Sequence, residues 1–148
     1  MRVVVQRVSS ASVDIGDETV GAIGNGLVLL IGVAKEDSKE DVEFVANKCI
    51  NLRIFEDDES KMNRSLLEAG GGILAISQFT LLGDTRKGRR PSFINAADPE
   101  KGNMLYKYFI ECLKREGIPV EQGRFGAMMD VRLTNRGPVT IIVESRES

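Results

Sequence analysis

Histidine is missing from all 148 residues of the sequence. Its absence removes Ser-His-Asp and Cys-His catalysis, and any zinc site that depends on imidazole. Cysteine is scarce. Cys49 and Cys112 lie far apart and make no CxxC pair, and both fall on the apolar faces of expected helices, so they read as core thiols. A strong net charge is also lacking: 20 Lys and Arg stand against 22 Asp and Glu, a formal charge of −2. The chain as a whole is therefore no polyanion binder, and any nucleic-acid contact would need a local patch. No apolar run is long enough to span a bilayer, and the opening MRVVVQRVSSASV has neither the apolar core nor the cleavage site of a signal peptide. A soluble cytoplasmic protein without membrane contact is the expectation. No repeat, linker or low-complexity segment divides the chain, so residues 1–148 read as one domain.

What is present is ordinary globular material, 42% hydrophobic and 28% charged, with enough length for a proper core. Val3 to Val13 is β-branched and partly alternating, which predicts a strand; Thr19 to Ile23 returns beside it after a turn at Ile15 to Glu18. Leu27 to Val33 is continuously apolar, as a strand buried on both faces requires. Ser38 to Asp41 resembles a capping box, and Val42, Val45, Ala46, Cys49 and Leu52 repeat at helical spacing. Arg53 to Phe55 reads as a short strand before the acidic loop Glu56 to Glu59. Asp98 followed by Pro99 starts a second helix, with Leu105, Tyr108, Phe109, Cys112 and Leu113 as its apolar stripe and Gly117 at its end. Val120 to Gln122, Ala127 to Thr134 and Val139 to Glu144 read as the last strands. Without regular βαβ alternation, the pattern predicts an α+β domain: a curved, mostly antiparallel sheet or barrel with two main helices.

Three stretches carry candidate chemistry. In Ser77-Gln78-Phe79-Thr80-Leu81, read as a strand, Gln78 and Thr80 share one face. They are either the exposed polar face of a sheet or polar groups turned toward a ligand. Asn135-Arg136-Gly137-Pro138 reads as a turn between two strands; a cis Gly137-Pro138 bond is the alternative, against a base rate of about 5–6% for X-Pro bonds. Arg86-Lys87-Gly88-Arg89-Arg90 puts four cations in five residues. It is either a solvated loop or, directly after the polar stretch, a contact for a phosphate-bearing ligand.

The pair SQFTL (Ser77 to Leu81) and NRGPVT (Asn135 to Thr140), with the opening MRVVVQRV, resembles the signature of the D-aminoacyl-tRNA deacylases over essentially the whole chain. The resemblance implies that family's fold and a homodimer working without metal or cofactor. It implies hydrolysis of D-amino acids, and in part glycine, wrongly esterified to tRNA. Ser77, Gln78, Phe79 and Thr80 would form the pocket, with Gln78, Phe79 and Thr80 at the reacting centre and Met129 in its wall. Gly137 and Pro138, joined by a cis bond, would enter from the partner subunit, braced by Arg7. Arg86, Lys87, Arg89 and Arg90 would meet the acceptor end of tRNA. The family resemblance also suggests that the 2′-hydroxyl of the terminal adenosine assists the attack, with backbone N–H groups near Phe79 and Thr80 stabilising the oxyanion. Thr80 as nucleophile is the rival reading and lacks an evident base. Two other classes share the fold or the patch: an editing domain of archaeal threonyl-tRNA synthetases, whose synthetase remainder this sequence does not contain, and a non-catalytic RNA-binding module.

Overall fold

The computed structural model describes residues 1–145. Strand β1 (Arg2–Ile15) is the spine of a six-stranded sheet. Arg2 to Val8 pairs antiparallel with β3 (Gly26–Gly32), and Ala11 to Ile15 pairs antiparallel with β2 (Glu18–Ile23). The other edge of β1 carries β8 (Asp130–Glu144), antiparallel from Arg2↔Glu144 to Asp14↔Asp130. Beyond β3 the sheet turns parallel, to β6 (Gly72–Ser77) and then β7 (Val120–Gln122). Parallel neighbours need long crossovers. Helices α1 (Lys39–Asn51) and α3 (Pro99–Arg115) lie within them. The sheet is thus mixed, with three of its five pairings antiparallel. Its far strands nearly close on each other: a Cβ built on Gly21 of β2 would lie 3.2 Å from the Gln122 carbonyl of β7.

Curving the sheet creates two interiors. On the helical side, Val45, Cys49 and Ile50 of α1 and Leu105, Tyr106, Phe109 and Leu113 of α3 pack over Val3, Val5, Leu27, Leu29, Ile31, Ile73 and Ala75. Inside the barrel, Val8, Ala11, Val13, Val28, Leu74 and Ile76 form a second cluster, with Met129, Val131 and Leu133 against it. This explains the unbroken apolar runs of β3 and β6, whose alternate residues serve opposite interiors. Each large side chain so buried contributes about 1.5–3 kcal/mol.

Local chemistry sets the ends of the elements. Asp41 accepts from the Ser38 N–H at 2.8 Å, and Asp98 accepts from the Lys101 N–H at 2.9 Å. Helix α1 stops at Asn51, so Leu52 lies outside it. The acidic loop joins a small hairpin, β4 (Phe55–Glu56) and β5 (Met62–Arg64). A single turn α2 (Leu66–Ala69) follows, capped by reciprocal Ser65–Glu68 bonds. On α3, Tyr106 takes the core place that the apolar stripe assigns to Tyr108. Tyr106 donates to the Ala75 carbonyl at 2.7 Å, whereas the half-buried Tyr108 donates to Glu43 at the surface. Cys49 is a core thiol, pushed by burial up to about 12, while Cys112 is only half-buried.

Candidate functional site

Strand β6 ends at Ser77, short of the expected Leu81. The Gln78 N–H donates to Ile31 O at 2.8 Å as the last rung along β3. The chain then leaves the sheet in a 3-10 turn, Phe79–Leu82, closed by Gly83 N–H donating to Thr80 O at 3.0 Å. The expectation that Gln78 and Thr80 share one face of a strand is therefore corrected. The reason is the neighbour: β3 itself ends at Gly32, and the turn folds down onto that bare Cα. A Cβ on Gly32 would lie 2.6 Å from Leu82 Cδ2 and 3.1 Å from Gln78 O.

The turn forms one wall of a cleft of about 490 Å³. Ser77, Gln78, Phe79 and Thr80 line this wall. Phe93, Ala96, Ala97 and Pro99 come from the segment entering α3, and Phe125, Gly126, Ala127 and Met129 from the connection between β7 and β8. Phe79 and Phe93 meet edge to face, with centroids 5.1 Å apart. Phe125 packs near Tyr106 and against Gly102, where a Cβ would come within 3.2 Å of its ring. None of the lining side chains is ionisable. Among the described residues, the side chains of Ser77, Gln78 and Thr80 have no hydrogen-bond partner within the protein. The structure thus brings together Ser77, Gln78, Phe79, Thr80 and Met129. Phe93 and Phe125 were not expected in the site; the signal for them was large apolar residues inside otherwise polar loops.

Gly137 and Pro138 are not among the residues lining this cleft. The expected turn between two strands is also corrected, since Asp130 to Glu144 is one strand with a bulge. Gln6 pairs with Thr140 and Val8 with Asn135, so Arg7 alone faces Arg136 to Val139. The Asn135 side chain closes the bulge. Its Oδ1 accepts from Val139 N–H at 2.6 Å, and its Nδ2 donates to Val139 O at 3.1 Å and Thr140 Oγ1 at 3.0 Å. These bonds stand in for the missing ladder rungs. Arg7, buried, donates from Nε to Arg136 O at 2.9 Å and from Nη1 to Ile54 O at 2.7 Å. The Gly137–Pro138 bond is cis, and Gly137 has φ +137°. Arg136, Gly137 and Pro138 are exposed.

The basic stretch caps a loop closed by Asp84 and Ser92, whose backbones exchange bonds of 2.8 and 2.9 Å. Arg86 grips Asp84 through Nε at 2.9 Å and Nη2 at 2.7 Å. These hydrogen bonds hold the Asp84 carboxyl down to about 2. Lys87, Arg89 and Arg90 are exposed, and Phe93 ties the base of the loop to the cleft. Among the described residues, no group of three or more His, Cys, Asp or Glu is arranged to hold a metal, and no helix is long and apolar enough to cross a membrane.

Comparison with known proteins covers nearly the full length. Residues 4–144 match the family model described as D-Tyr-tRNA(Tyr) deacylase. A D-aminoacyl-tRNA deacylase of Brevibacillus brevis is 61% identical, spanning 98% of this chain and 100% of the relative. One of Bacillus pumilus is 58% identical over 99% and 100%. Among solved structures, the c-Myc DNA Unwinding Element Binding Protein superposes with TM-score 0.93 at 40% identity, covering 99% of this chain and all of that one. A probable eukaryotic D-amino acid tRNA deacylase shares the fold at TM-score 0.84 and 21% identity, with 97% and 98% covered. Matched over residues 4–144 and by relatives that span nearly its whole length, this chain belongs to the D-Tyr-tRNA(Tyr) deacylase family.

Proposed function

We propose that this chain is a D-aminoacyl-tRNA deacylase, a hydrolase that cleaves the ester joining a D-amino acid to the 3′ end of tRNA. Family membership and full-length relatives of that name support the reaction class. The observation that carries the mechanism is the cleft without an ionisable side chain. With no general base at hand, the attacking group must come from the substrate or from oriented water. The 2′-hydroxyl beside the ester supplies that assistance. The protein contributes position and donors: the first N–H groups of a helical turn have no acceptor within it, so those of Phe79 and Thr80 are available to an oxyanion. Ser77 and Gln78 orient the substrate, and Met129 closes the wall. No cofactor or metal takes part.

Selectivity follows from completing the cleft with a second copy of the chain. Gly137 and Pro138 stand exposed on their bulge, braced by Arg7 and Asn135. Placed in the partner's cleft, their carbonyls occupy the space that an L side chain would need, and rejection is by clash. Glycine has no side chain to exclude, so glycyl-tRNA is also cleaved. Lys87, Arg89 and Arg90 face the phosphates of the acceptor end, while Arg86, expected beside them, is held by Asp84 and shapes the loop; charged tRNA as substrate sets the activity in the cytoplasm. The test is hydrolysis of matched D- and L-aminoacyl-tRNA by purified protein. The D form is hydrolysed and the L form spared, with or without EDTA. Equal rates on both enantiomers, or activity lost to chelator, would reject the reading.

A further inference from the structure

We propose that Arg2, outside both motifs, is the positioning residue of the Phe79–Leu82 turn, with Glu144 as its orienting partner and Gly32 as its seat. The inference rests on the reading of that turn as the catalytic element. Arg2 pairs across the sheet with Gly32 on one side and Glu144 on the other. Its Nε donates to Glu144 Oε1 at 2.8 Å, which fixes the plane of the guanidinium. From there Nη1 donates to Leu81 O at 2.9 Å. A single 3-10 turn has weak internal bonding, and its last carbonyls have no partner within it. Its geometry is therefore set from outside, at three points. Gln78 N–H is held by Ile31 O, the turn rests on the bare Cα of Gly32, and Leu81 O is held by Arg2. Arg2 and Glu144 are each only about a third exposed, 31% and 30%, so solvent competes for these bonds less than at an open surface.

The consequence is catalytic. A cleft without an ionisable side chain works by placement, and placement is sensitive to displacements of an ångström. Only a guanidinium offers donors in a rigid fork that reach a carboxylate and a carbonyl together. An ammonium at the same place can serve one partner well or two poorly. Arg2 touches neither substrate nor reacting atoms and acts through the turn alone.

The experiment compares wild type with Arg2→Met and Arg2→Lys, reading single-site kinetics on D-aminoacyl-tRNA beside amide hydrogen exchange. Arg2→Met is expected to lower kcat roughly ten- to a hundredfold with KM nearly unchanged. Exchange of the Gly83 amide, which closes the turn onto Thr80 O, should quicken while amides of β3 keep their protection. Arg2→Lys should recover part of the kcat. If Arg2→Met does not fold, Glu144→Gln, which loosens the guanidinium without touching the turn, should show the same pattern in weaker form. An unchanged kcat, a loss confined to KM, or unaltered Gly83 exchange would overturn the proposal. Should wild type itself show no deacylation, the functional reading fails and exchange alone decides: faster Gly83 exchange upholds the clasp, and unchanged exchange removes it.

Discussion

Thr80 brings a hydroxyl to the cleft but no base to deprotonate it. None of the side chains lining that cleft is ionisable, and a threonine hydroxyl is a weak nucleophile at neutral pH. Thr80→Ala should keep its rate within about tenfold of wild type, since only a positioning contact of general magnitude is lost. A tRNA ending in 2′-deoxyadenosine with a 3′ ester should react poorly. A dead but folded alanine variant, with the deoxy substrate reacting normally, would make Thr80 the nucleophile. Gly137 is constrained differently. At φ +137° an L side chain is strained, and a Cβ would come 2.9 Å from Val139 Cγ2 and 3.0 Å from Arg7 Nη2. Gly137→Ala should destabilise by about 1–3 kcal/mol, seen as a melting temperature lower by about 3–10 °C. It should also disturb Arg7, whose guanidinium is the neighbour that must yield. An unshifted melting curve would mean that the bulge relaxes freely.

At the scale of elements, the basic loop is not four equivalent cations. Arg86 is committed to Asp84 by two hydrogen bonds, so Lys87, Arg89 and Arg90 remain for phosphate. Neutralising Arg89 and Arg90 should flatten the salt dependence of tRNA binding by roughly 0.7–0.9 of a log-log unit per lost contact, whereas Arg86→Gln should do less. The Asp84 clasp also has a pH window. The Arg86 and backbone hydrogen bonds hold its carboxyl at about 2 against an ordinary 3.8. A depressed carboxyl contributes fully above its unfolded value, and the contribution fades as pH falls from about 4 toward 2. Carboxyl NMR should find Asp84 still ionised at pH 3; titration near 4 would show the clasp to be loose. The elements differ in how much of them the sequence reveals. Helices α1 and α3 are legible because caps and apolar spacing are local signals, and β3 because both its faces are buried. The β6 ending is not, since it depends on Gly32, more than forty residues earlier in the chain. The bulge in β8 is likewise hidden, because a Gly-Pro pair reads as a turn unless the partner strand and Asn135's bonds are known. In the candidate cleft, Ser77 to Thr80 are legible through their motif, and Met129 only through the family resemblance that the motifs carry. Arg2 lies in the opening MRVVVQRV, but nothing there points to the turn, Glu144 lies in no motif, and their link to Leu81 exists only once the sheet has formed.

At the scale of the whole molecule, the chain leaves unfinished business at one edge. β8 is paired by β1 along one side, and among the described residues its other side has no partner strand. Fifteen residues of open edge are a liability that folded proteins usually cover, and Ile142 stands 62% exposed beside it. Phe79, on the cleft wall, is 55% exposed. The proposed second copy would cover such surfaces and bring its exposed Gly137-Pro138 bulge to the cleft. Sharing makes a specific demand. On the proposed dimer, Gln78→Ala damages the cleft and Gly137→Ala damages the segment proposed to enter it. In a symmetric dimer each site takes its cleft from one chain and its insert from the other. A mixed dimer of the two variants then has one site with both faults and one with neither. Random reassociation makes half the dimers mixed, so about a quarter of all sites should regain wild-type activity by the counting that two-fold symmetry imposes. Each variant alone should be poor, in rate or in rejection of L-aminoacyl-tRNA. The measurement is deacylation after co-refolding equal amounts, with light scattering to verify pairs of 16.3 kDa chains. If the mixture is no better than the average of its parts although dimers have exchanged, cleft and bulge do not meet across subunits, and selection against L-amino acids must be sought within the single chain.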